Sequence, residues 1–140
     1  MLRPAALEAL RGCSTIVHAG DIGKSEVLDG LRRLAPLVAI RGNVDLKWAH
    51  ELPDTAEFSA VGKRFHVLHD LNELPFDPDE AGFDVVISGH SHVPKIRQRA
   101  GVLYVNPGSA GPRRFKLPIA IARIEVSRKS LEARIIELPA

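Results

Sequence analysis

The sequence predicts an α/β domain with parallel strands at its centre, on three observations. Short apolar, often β-branched runs recur along the chain, and a helical repeat separates two of the early ones. Strands joined through a helix pair in parallel. Run after run then ends in a small or polar cluster: Gly20-Asp21, Gly42-Asn43, His69-Asp70, Gly89-His90-Ser91-His92 and Asn106-Pro107-Gly108-Ser109. Parallel strands carry their carboxyl ends to one edge of a sheet, where α/β folds keep their chemistry, so the early clusters should lie together.

Each element has its own justification. Arg3 to Gly12 reads as a short helix, with Pro4 near its first turn and Gly12 just past its end. Thr15 to Asp21 is a β-branched run into a turn. Val27, Leu28, Leu31 and Leu34 recur at helical spacing, and Pro36 stops the pattern. Leu37 to Asn43 is a second apolar run. Glu57 to Asp70 predicts two strands around Gly62, the second ending at His69-Asp70. Phe83 to His92 is another buried strand with a loop at its end. Lys95 to Ser109 forms a hairpin about Ala100-Gly101, and Pro118 to Leu138 gives two more strands with a turn near Lys129.

Composition bounds the rest. The 140 residues make one domain, 1–140, large enough for a core, with 45% hydrophobic and 26% charged residues, ordinary for a soluble globular chain. A net charge of +2 gives no clear nucleic-acid surface. Lys95, Arg97 and Arg99 read as a solvated hairpin face. No stretch reaches the length of a membrane span, and Met1 to Gly12 lacks an export signal. One cysteine, Cys13, excludes an internal disulfide and suits the cytoplasm.

The side chains at the strand ends are Asp21, Asn43, His69, His90 and His92. Gly before His90 and Pro after His92 place that imidazole pair in a loop. Carboxylate and amide oxygens with imidazoles suit manganese, iron(II), nickel or zinc better than calcium or magnesium. No thiolate takes part, which argues against a structural zinc finger.

"GD", "GN", a single His after a strand, "GHSH" and "NPGS", in this order, resemble the calcineurin-like metallophosphoesterases, and among them the YfcE-type phosphodiesterase branch. The resemblance runs from Leu2 to about Leu138. It implies an αββα sandwich of two mixed sheets and hydrolysis of a small phosphodiester substrate by metal-bound hydroxide at two divalent ions, often manganese. By the match, Asp21 bridges both ions, Asn43, His69 and His90 complete one site, and His92 belongs to the other. Two ions roughly 3.5–4 Å apart neutralise charge on both the attacking and the leaving oxygen.

The chain departs from the family pattern in two places. The family opens with a strand carrying Asp-x-His, which binds the first ion; this sequence holds no Asp-x-His and enters directly at the helix that follows. The expectation is therefore an N-terminally truncated domain, its first strand missing. One ion should be held well by Asp21, Asn43, His69 and His90, and the second poorly by Asp21 and His92. A start codon placed too late would explain this, and the DNA upstream should then encode an in-frame strand ending in Asp-x-His-Gly. An unpaired sheet edge would favour a homo-oligomer. The second departure is Val44, where much of the superfamily has a histidine that protonates the leaving group. Valine transfers no proton, so good leaving groups are favoured; YfcE-type members commonly share this lack. The alternative function is a non-catalytic interaction scaffold, as in the phosphoesterase-like subunit of retromer.

Other candidates have plainer readings. His18 lies within a strand, as a packed residue or one that orients a ligand. His50 and His66 read as surface residues, Cys13 as a small apolar filler, and Trp48 and Tyr104 as packing. Asp45 and Asp70 either orient neighbouring ligands or shape turns. Arg113 and Arg114 either place guanidinium groups near a substrate phosphate or face solvent.

Overall fold

The computed structural model describes residues 12–19, 25–40, 52–89, 94–107 and 120–137. The first layer begins with β1 (Ile16–His18), α1 (Ser25–Arg32) and β2 (Leu37–Ala39). β1 and β2 pair in parallel, with α1 in the crossover that such a pairing requires. Strand alternation then divides their side chains between two cores. Ile16, Leu37 and Ala39 pack with Leu31, Leu34, Ala35 and Cys13 on the helix side. Val17 and Val38 point the other way, into the main core. Cys13 is the apolar filler expected.

The main sheet has five strands: β3 (Thr55–Ala60), β4 (Lys63–Leu68), β5 (Val85–Ile87), β6 (Lys95–Arg99) and β7 (Val102–Asn106), in the spatial order β3-β4-β5-β7-β6. β4, β5 and β7 run parallel, and a hairpin closes each edge. Phe65, Val67, Val85, Ile87, Leu103 and Val105 fill one face, against Val17, Val38 and the ladder of β8 (Ala120–Val126) with β9 (Leu131–Glu137). Leu68, Val86 and Val102 occupy the opposite face with Leu74 and Tyr104. The segment after β4, including a 3₁₀ turn at Leu71–Glu73, returns over that face. Helix, paired strands, main sheet and covering segment thus follow in the order of a sandwich of mixed sheets. No described helix is long and apolar enough to cross a membrane.

Both hairpins of the main sheet turn in two residues, and both residues have positive φ, the sign pattern of a type I′ turn. Val61 and Gly62 stand at 50° and 78°, Ala100 and Gly101 at 51° and 79°. A β-branched residue is strained in that region, and Val61 is exposed, so no packing offsets the strain. Val61→Asn should stabilise the protein by about 1 kcal/mol. Urea unfolding checks this, and a midpoint that does not rise contradicts it.

His66 is corrected from surface to interior: it is only 3% exposed. Phe65 and Val67 face the main core, so alternation sends His66 outward, but the covering segment closes over it. Its ring lies against Phe76 and Phe83, with centroids 5.0 and 5.2 Å away. The second ring is held in place by Arg64, whose guanidinium carbon sits 4.4 Å above Phe83 and whose Nη1 donates to the Ala81 carbonyl at 2.8 Å. Among the described residues neither His66 nitrogen has a hydrogen-bond partner, and Glu57, opposite on β3, comes only to 3.6 Å of Nδ1.

Burial pushes the His66 pKa below its ordinary 6.5, and the Glu57 carboxylate partly opposes the shift. The neutral ring is therefore favoured on folding. The unfolded chain takes up this proton first as pH falls, so stability is lost below 6.5, down through the folded-state value. His66→Leu should remove that loss and, by removing unpaired buried nitrogens, stabilise the protein by about 1 kcal/mol. Urea midpoints of wild type and variant on both sides of the window test this. An equal fall in both would assign the acid sensitivity elsewhere.

Candidate metal centre

The parallel pairings β1/β2, β4/β5 and β5/β7 set the carboxyl ends of five strands at one edge. The residues just beyond them are joined by hydrogen bonds. Ile40 N–H donates to the His18 carbonyl at 3.1 Å, fixing the exit of β2 beside that of β1. His69, directly after β4, is buried, and its Nδ1 lies 2.8 Å from the Ala19 carbonyl beyond β1. Gly89 N–H donates to the His69 carbonyl at 2.9 Å, and Asn106 Nδ2 to the Gly89 carbonyl at 3.0 Å. A continuous line thus runs from Ala19 through His69 and Gly89 to Asn106, and His69 is where it crosses between layers.

A carbonyl oxygen only accepts, so His69 Nδ1 carries the proton in that contact. In the neutral ring the lone pair then sits on Nε2. A backbone carbonyl that fixes the tautomer in this way is the usual support of a metal-binding imidazole. The chemistry of His69 therefore fits a borderline divalent ion.

Of the residues expected from the sequence, the structure describes His69 alone. Asp21, Asn43, His90, His92 and Arg113 lie outside the described residues, as do His50, Trp48, Asp45, Arg114 and the expected first helix. Their anchors are described: Ala19 stands two positions before Asp21, Ile40 three before Asn43, and Gly89 immediately before His90. Among the described residues, no group of three His, Cys, Asp or Glu side chains gathers at one point.

Asp70 turns out to shape a turn. Its Oδ1 accepts from Asn72 N–H at 3.0 Å at the start of the 3₁₀ turn. Lys95, Arg97 and Arg99 are exposed, as a solvated hairpin face requires. The side-chain role of Asn106 escaped the sequence reading. "NPGS" marked a strand end, but only three-dimensional proximity shows that the amide reaches Gly89.

Residues 1–129 match the family model described as the calcineurin-like phosphoesterase superfamily domain. A probable metallophosphoesterase of Methanocaldococcus jannaschii is 34% identical, over 98% of this chain and 73% of its own. Among solved structures, Vps29 of Chaetomium thermophilum superposes with a TM-score of 0.84 at 22% identity, covering 99% of this chain and 79% of that one. An archaeal phosphodiesterase superposes with a TM-score of 0.70 at 22% identity, over 94% of this chain and 89% of that one. Likeness at that identity establishes the shared fold.

Proposed function

The chain belongs to the calcineurin-like phosphoesterase superfamily, and on that premise we propose that it is a cytoplasmic metal-dependent phosphodiesterase, impaired in turnover when these 140 residues act alone. The observation that carries this reading is His69. Its ring is fixed by the Ala19 carbonyl at the edge from which the chain leads to Asp21, Asn43, His90 and His92. Asp21, Asn43, His69 and His90 would hold one divalent ion of manganese type, and His92 with Asp21 would hold a second weakly. When bound, such ions supply a nucleophile at neutral pH and neutralise charge on the phosphate.

The protein's own residues do the remainder. His69 keeps its proton on Nδ1, so that Nε2 stays a ligand and not an acid. Arg113 would bind a non-bridging phosphate oxygen and Asn43 would help to orient the ester. Val44 gives no proton to the leaving group, so esters of acidic alcohols or phenols are the substrates that turn over.

The 140 residues hold no Asp-x-His pair, which leaves the second ion with few ligands. Turnover of bis(4-nitrophenyl) phosphate with added Mn²⁺ should therefore be slight, and absent in Asp21→Ala. Brisk turnover that disappears in Asp21→Ala would show that the present ligands suffice and would overturn the impairment. The second reading, a non-catalytic interaction scaffold, is favoured by the closeness of the fold to Vps29. It predicts no turnover with any divalent ion and no difference between wild type and Asp21→Ala.

A further inference from the structure

Asn106 ends β7, and two independent observations tie it to the chain on either side of His90 and His92. Its Nδ2 donates to the Gly89 carbonyl at 3.0 Å. Across the β6–β7 ladder it stands opposite Lys95. Gly89 comes just before His90 in the sequence, and Lys95 follows His92, Val93 and Pro94. One residue therefore secures both feet of the connection that bears the two histidines. We propose that Asn106 is a positioning residue, holding the Gly89 peptide from which the chain continues to His90.

The chemistry favours an amide at this place. The β5–β7 pairing ends at Ile87 opposite Val105, and the last ladder bond beyond it runs from Ser88 N–H to the Val105 carbonyl, 3.0 Å. The Gly89 carbonyl lies past the end of the ladder, so its donor comes from a side chain. That oxygen shares a planar peptide unit with the nitrogen of His90, so holding it also fixes the plane from which His90 departs. The Gly89 N–H is already committed to the His69 carbonyl, 2.9 Å away. The peptides on both sides of Gly89 are thereby held, one by His69 and the other by Asn106. Aspartate in the same place has the size of asparagine but no donor, and its charge would repel the carbonyl.

The inference rests on the metal reading above, and Co²⁺ binding separates the two. Asn106→Asp and Asn106→Ala should weaken Co²⁺ affinity by about ten- to a hundredfold, the usual loss when a support of a ligand is removed. The visible absorption of the bound ion should change as well, because its ligand geometry loosens. Val105→Ala weakens the same strand without touching the Gly89 carbonyl and should keep wild-type affinity and spectrum. Both sets are compared at a temperature where thermal melts show them folded, and Asn106→Ser replaces any Asn106 variant that is not.

Wild-type affinity and spectrum in the Asn106 variants would overturn the positioning role. So would an equal loss in Val105→Ala, which would reduce the effect to general stability. A wild-type chain that binds no Co²⁺ would overturn the metal reading and this inference with it.

Discussion

Replacing His69 by alanine should lower divalent-metal affinity by at least about a hundredfold, since removing even an outer support of a ligand costs 10–100-fold. The expectation follows from the place of the ring. His69 leaves β4 at its carboxyl end, is buried, and has its tautomer set by the Ala19 carbonyl at 2.8 Å. Without the imidazole, the ion loses a ligand that bridges the two layers, and the Ala19 carbonyl loses a donor. Stability should fall by about 1–3 kcal/mol for that buried oxygen, even in the absence of metal. Isothermal titration with Mn²⁺ and urea unfolding of the metal-free protein measure the two effects separately. Unchanged affinity with reduced stability would make His69 a purely structural tie between layers.

Gly89→Ala should act on the same contact from the other side. A Cβ at that position would stand 3.3 Å from the Ala19 carbonyl oxygen, 3.5 Å from the Ala19 Cβ and 3.7 Å from His69 Nδ1. The first of these atoms is backbone that already accepts from His69, so relief requires β1 and the main sheet to separate or the imidazole to move. Overpacking of this kind costs about 1–3 kcal/mol. Metal affinity should fall with stability, because the displaced group is the one that sets the His69 tautomer. A variant with wild-type midpoint and affinity would show that the Ala19 carbonyl yields freely, and that the glycine serves only the turn into His90.

Much of the fold was legible because its elements carry strong local signals. The helical spacing that ends at Leu34 and Pro36, the parallel runs on either side of it, and the two Gly-marked hairpins all appear where the sequence places them. The 3₁₀ turn at Leu71–Glu73 was not legible, since three residues show no period and its cap, Asp70, looks like any turn residue. His66 was misread for a related reason. Alternation correctly put it on the face away from the main core, but only the return of the segment carrying Phe76 and Phe83 buries it, and that contact is set by tertiary packing.

The site divides in the same way. Residue types at strand ends outline the proposed metal-binding set, of which His69 alone lies among the described residues. The supports do not stand out, because the Ala19 carbonyl is backbone and the Asn106 amide lies far from Gly89 in sequence.

The claim that these strand ends form one metal centre is tested most directly by metal content. Wild type and His90→Ala, each loaded with Mn²⁺ and then dialysed, are compared by elemental analysis. Convergence of these strand ends predicts about one tightly retained ion per wild-type chain and far less in His90→Ala. Equal retention by the two proteins would place any bound metal elsewhere and contradict it.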